Sequence, residues 1–134
     1  DPASFAPQED PDGLWYQVVR YEDAMHLAYA ASDLVLARAG ATTVAELAAI
    51  GQPSILVPWP LATEDHQTAN VRWLVEAGAA TLLPEDDIAR LPDLIEQLRH
   101  DDDARRRLSA AARELGEVHR QGALAQLVES VALA

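Results

Sequence analysis

Within seven consecutive positions the chain places a glycine, three small residues and one carboxylate: Gly40, Ala41, Thr42, Thr43 and Glu46. Gly40 permits positive φ and a close backbone approach to a ligand. Ala41, Thr42 and Thr43 then present amide N–H groups at the start of an expected helix, where unpaired donors and the helix dipole attract a phosphate. Glu46 has two readings. Its T-x-x-E spacing from Thr43 is that of a capping box, in which the carboxylate returns to the N-cap amide. Alternatively, its two oxygens accept hydrogen bonds from two vicinal hydroxyls such as those of a ribose.

A second group lies in PWPLATEDHQTANVRW, Pro58–Trp73. Thr63 or Asp65 could cap a helix there, and Glu64 and Asp65 suit its positive end. Gln67 and Asn70 are three apart and share a helix face. Their amides suit sugar hydroxyls, although a solvated polar face accounts for them equally well. His66 alone reads as a surface or satisfied histidine. Asp10-Pro11-Asp12 has D-x-D spacing but sits in a Pro-rich stretch, so no metal is expected on it. His26, His100 and His119 form no ligand spacing. There is no G-x-S-x-G elbow, Walker A loop or G-x-G-x-x-G. Trp15, Trp59 and Trp73 read as packing residues. Asp101–Asp103 followed by Arg105–Arg107 reads as an exposed helix start.

Elements must bring these groups together. Residues 1–13 are Pro- and Asp-rich and read as a tail or loop, with one domain over 14–134. Strands are expected at Trp15–Tyr21, Asp33–Arg38, Ser54–Trp59 and Ala80–Pro84. Helices are expected at Glu22–Ser32, at 43–50 (stopped by Gly51, with Pro53 beyond), and at about 65–76, 88–99, 103–115 and 121–131. Strands that alternate with helices and lack polar alternation imply an α/β fold: a Rossmann-like parallel sheet with helices on both faces. Right-handed crossovers put the strands' C-terminal ends on one edge, where ligands bind. The loops after Arg38 and after Trp59 should therefore face one crevice.

The chain has 134 residues, 49% of them hydrophobic, which is enough for one domain with a core. The absence of cysteine excludes disulfides and thiolate metal sites. A net charge of −12 argues against nucleic acid as a partner. No apolar run approaches a membrane span, and no signal peptide is visible. A start at Asp1 suggests a processed chain, an expression product or part of a longer protein.

The segment SDLVLARAGATTVAELAAIGQPSILVPWPLATEDHQTANVRWLVEAGAATLLP closely resembles the C-terminal domain of the MurG family, the UDP-N-acetylglucosamine transferases that make lipid II for peptidoglycan. The resemblance runs from about Val18 to Pro84. It is strongest over Ala37–Gly78, where R-x-G-A-x-T-x-x-E, a V-P loop and D-H-Q-x-x-N occur in order. It implies half of a GT-B fold, two Rossmann-like domains around a cleft, with the donor nucleotide on the C-terminal one. By the same resemblance, backbone groups near Glu22 would recognise uracil, and the amides of Ala41, Thr42 and Thr43 would hold the diphosphate. Glu46 would bind the ribose, and His66, Gln67 and Asn70 would sit near the GlcNAc hydroxyls. Arg38 would support the phosphate loop beside Gly40. Ala39 stands where many relatives carry serine.

The resemblance also implies what this chain lacks. The family's domain opens with a strand and a G-G-S-x-G-A loop, preceded by an N-terminal domain with the acceptor site and the expected general base. Neither is in this sequence. In a 3-2-1-4-5-6 strand order the missing strands would lie between Trp15–Tyr21 and Asp33–Arg38. The expectation is a fragment with no catalytic residue of its own, serving metal-free inverting transfer without a cofactor. The implied partners are UDP-GlcNAc and the undecaprenyl-linked lipid I acceptor. The implied location is the cytoplasmic face of the bacterial inner membrane, held peripherally. Rival readings are another GT-B UDP-sugar transferase, a UDP-GlcNAc 2-epimerase, or a non-catalytic nucleotide-sugar binding module.

Overall fold

Ser54–Val57 is a run of four residues buried on both faces, and it is the centre of the fold. In the computed structural model, which describes residues 8–9, 15–59 and 66–132, with the side chains of 8–9, 15–16, 66–70, 123–124 and 127 outside that description, this run is strand β4. It pairs in parallel with β3 (Val35–Arg38) on one side and β5 (Thr81–Leu82) on the other. The sheet order is β3-β4-β5, with Arg38 opposite Val57 and Leu82 opposite Leu56. β4 alternates its side chains between two cores. Leu56 packs with Val44, Leu47, Val71, Leu74 and Ala112 on one face, whereas Ile55 and Val57 pack with Leu83 and Leu98 on the other. An apolar run without polar alternation is what a strand covered on both faces requires.

The helices covering the first face are α1 (Met25–Ala30), α2 (Ala41–Ile50) and α3 (His66–Glu76). A 3₁₀ turn over Glu85–Arg90 leads into α4 (Leu91–His100), which covers the second face. Pro92 stands in the first turn of α4, where its missing N–H costs nothing. α5 (Asp102–Leu115) reaches both cores, with Ala104 and Leu108 on one and Ala111, Ala112 and Leu115 on the other. The Asp101 side chain caps α5 by accepting from the Ala104 amide at 2.8 Å. Asp101→Ala should lower stability by about 1 kcal/mol, measured as a shift in the urea midpoint with unchanged slope. The remaining chain forms α6 (Glu117–Arg120) and α7 (Ala123–Ala132), separated by Gly122 at φ 67°.

One expectation is corrected here. Trp15–Tyr21 is not a strand of the parallel sheet. Only Trp15–Tyr16 is extended (β2), and it pairs antiparallel with Gln8–Glu9 (β1) in a separate two-stranded ribbon. Residues 17–20 have strand-like composition but no ladder partner, and β propensity is expressed only where a neighbouring strand accepts it. The helix expected at 121–131 is α7 over 123–132, and a further short helix, α6, follows Gly116 where none was expected. Among the described residues, β3 is an edge strand: nothing pairs with its outer side. Its burial alternates, leaving Leu36 47% exposed, as expected of a strand covered on one face only.

Candidate functional site

α2 carries the first group of candidate residues, and its start differs from the expected one. The helix begins at Ala41, with Gly40 as N-cap, so Ala41, Thr42 and Thr43 occupy its first three positions. Among the described residues no side chain caps it. Gly40 has φ −66°, so positive φ is not its role. Among the described residues, a Cβ added there would meet Thr43 Oγ1 at 3.9 Å and nothing nearer.

This register also removes the capping-box reading of Glu46. Thr43 is inside the helix, not at its N-cap, and Glu46 lies a further turn along. The carboxylate instead accepts a hydrogen bond at Oε2 from the Tyr29 hydroxyl of α1, at 3.3 Å. Thr42 and Thr43 precede Glu46 by four and three residues and share its helix face. That face is open: Ala41, Thr42 and Glu46 are exposed, whereas Val44, Leu47 and Ala48 are buried behind it. At about 1.5 Å per residue, Glu46 stands roughly 5–8 Å along the axis from the amides.

The other end of α2 is anchored. Gly51 ends it in the left-handed conformation (φ 77°), and the Gly51 and Gln52 amides return to the Leu47 carbonyl, each at 2.9 Å. Ser109 Oγ donates to the Gly51 carbonyl at 2.7 Å, and Arg120 Nη1 donates to the Ala49 carbonyl at 2.8 Å. These contacts satisfy carbonyls that a helix C-terminus leaves without partners. The helix is thus held at its base while its amide end faces outward.

Arg38, at the tip of β3, ties the strand ends together. Its guanidinium donates to the Pro58 carbonyl at 3.4 Å, pairs with Glu85, and lies 4.8 Å from the centre of the Trp59 ring. Pro58 and Trp59 follow β4, and Glu85 follows β5, so one side chain links three tips on the C-terminal edge. The hydrogen bond from Arg38, with its charge, holds the Glu85 carboxyl below its ordinary range. A cleft of about 250 Å³ lined by Leu36, Ala37, Arg38, Val57 and Ile88 borders this tip. Ala39 is fully buried in the first core.

Glu22 sits in the turn before α1, and its Oε1 accepts from the Ala24 amide at 2.8 Å, so its side chain shapes that turn. His66, Gln67 and Asn70 lie in the first two turns of α3, which packs against α2 and β5. Their side chains fall outside the described residues, as do Asp10, Asp12, Thr63, Glu64 and Asp65. Among the described residues no group of three His, Asp or Glu is placed to hold a metal ion, and no helix is long and apolar enough to cross a membrane. Tyr29 was not singled out from the sequence. The available signal was a tyrosine on the apolar side of a short Ala- and Leu-rich helix, because a buried phenol needs a partner for its hydroxyl.

A parallel sheet flanked by helices, with a helix start and a carboxylate beyond its C-terminal edge, is an arrangement of the open α/β class of folds, whose ligands gather at that edge. The comparisons narrow it: residues 3–127 match the model of the glycosyltransferase family 28 C-terminal domain, and the chain belongs to that family. A UDP-N-acetylglucosamine--N-acetylmuramyl-(pentapeptide) pyrophosphoryl-undecaprenol N-acetylglucosamine transferase of Lawsonia intracellularis is 57% identical over 61% of this chain and 22% of its own length. The transferase of the same name from Shewanella oneidensis is 43% identical over 93% of this chain and 35% of its own. The crystal structure of Acinetobacter baumannii MurG superposes with a TM-score of 0.67 at 32% identity, covering 73% of this chain and 30% of that one. The chain therefore spans roughly a fifth to a third of the length of these relatives.

Proposed function

We propose that this chain is the donor-binding part of an inverting glycosyltransferase that moves GlcNAc from UDP-GlcNAc to undecaprenyl-linked lipid I, forming lipid II. The observation that carries the reading is the α2 face: an amide end that no side chain caps among the described residues, with an exposed carboxylate one turn beyond it, which no capping box uses. The amides of Ala41, Thr42 and Thr43 hold the diphosphate, and Glu46 takes the ribose hydroxyls. Backbone near Glu22 meets the uracil, and His66, Gln67 and Asn70 at the head of α3 meet the sugar. Arg38 keeps the tips of the three strands in register beside them. The names of the relatives supply the donor and acceptor.

In the reaction the acceptor hydroxyl attacks the anomeric carbon while UDP departs. Negative charge grows on the leaving phosphate oxygens, and helix-start amides already aimed at that position stabilise it without reorganising. The base and the acceptor site come from residues outside this chain, and the whole enzyme works peripherally at the cytoplasmic face of the inner membrane. Calorimetric titration of the full-length polypeptide tests the donor assignment. UDP and UDP-GlcNAc should both bind at one site, with ADP at least roughly tenfold weaker. Equal binding of ADP and UDP would rule out the reading.

A further inference from the structure

Glu46 is exposed, on a side chain with three rotatable bonds, yet its task under the proposed reading is to meet a diol in one orientation. Tyr29 bears on that problem. Its ring is only 6% exposed and belongs to the core cluster with Val44, Leu47 and Ala48 of α2. Its hydroxyl reaches out of that core to Glu46 Oε2 at 3.3 Å. We infer that Tyr29 is a positioning residue for nucleotide recognition: the ring, fixed by packing, presents a donor that holds the Glu46 carboxylate where the ribose 2′- and 3′-hydroxyls arrive. This rests on the reading of Glu46 as the ribose ligand.

The chemistry is consistent on three counts. A carboxylate offers about four lone-pair positions, so one bond from Tyr29 leaves room for two ribose hydroxyls. Burial, reinforced by the charge of Glu46 and the bond to it, raises the pKa of the Tyr29 hydroxyl, which therefore remains a donor at neutral pH. The 3.3 Å separation is long for an O–H···O bond, as is common at sites that tighten when the ligand arrives. A merely structural tyrosine would need only its ring; a positioning one needs the hydroxyl.

The test is the ratio of affinities for UDP and 2′-deoxy-UDP, measured by calorimetry on the full-length wild type, Tyr29→Phe, Glu46→Ala and the double variant, with Tm recorded for each. Wild type should prefer UDP. Glu46→Ala should bring the ratio close to one. Tyr29→Phe, which keeps the ring, should retain the Tm to within a few degrees and shrink the ratio roughly three- to tenfold. The double variant should match Glu46→Ala, because the hydroxyl acts only through the carboxylate. If Tyr29→Phe leaves the ratio at the wild-type value, or weakens both nucleotides alike, the positioning role is wrong while the role of Glu46 stands. If Glu46→Ala itself leaves the ratio unchanged, the ribose reading fails and takes this inference with it.

Discussion

Glu46→Ala should weaken UDP binding by roughly ten- to a hundredfold while leaving the fold intact. Hydrogen bonds to a charged acceptor contribute about 1.5–3 kcal/mol, and each 1.4 kcal/mol is a factor of about ten in affinity. The stability cost should stay at or below about 1 kcal/mol. The carboxylate is exposed and takes no part in capping α2, and its bond to the Tyr29 hydroxyl is long at 3.3 Å. Calorimetry and a thermal melt on the same full-length preparation separate the two effects. Unchanged UDP affinity, at whatever Tm, would mean that the carboxylate merely decorates the helix.

The second large effect is expected far from the candidate ligand. Gly116, between α5 and α6, lies directly against the backbone of α2: an added Cβ would stand 2.1 Å from the Ala48 oxygen and 2.4 Å from its carbonyl carbon. Neither atom can swing aside as a side-chain tip can. Gly116→Ala must therefore push α2 away from α5 and α6, opening the contacts that seat its base. Overpacking of this kind costs about 3 kcal/mol at the upper end of the usual range, and the Tm should fall by roughly 10 °C. UDP affinity should fall with it, because the amides at the far end of α2 move as one body with the helix. Gly51→Ala makes a useful contrast. Its Cβ would stand 2.0 Å from Cγ of Arg113, so a side chain rather than backbone must shift, and φ 77° adds strain in a residue with a side chain. A melt of Gly116→Ala indistinguishable from wild type would show that α2 is not seated as described.

The parallel core was legible because β4 and the apolar part of β3 are short runs between helical patterns, and because Gly51 stops α2 where the sequence said it would. The same alternation placed Gly40–Thr43 at the sheet's C-terminal edge, and they do follow Arg38 there. What misled was local matching without register. Thr43 and Glu46 have capping-box spacing, but the helix starts two residues earlier and places both inside it. Trp15–Tyr21 has the composition of a strand, but composition does not say whether a parallel neighbour exists. The bond between Tyr29 and Glu46 joins residues on two helices, and no spacing rule reaches across 17 positions.

The tie made by Arg38 has a consequence for solution conditions. Its pair with Glu85 is open to solvent, with 45% and 36% of the two side chains exposed, so mobile ions can shield it, and the Debye length falls to about 3 Å at 1 M salt. The base of α2 rests on burial and backbone carbonyls, which added salt barely touches. Concentrated salt should therefore loosen the strand tips relative to one another before it disturbs the helix. Acid acts at the same place. The folded carboxyl of Glu85 titrates below its unfolded value, so the tie persists above the ordinary carboxylate range and is released as pH drops through the lowered one.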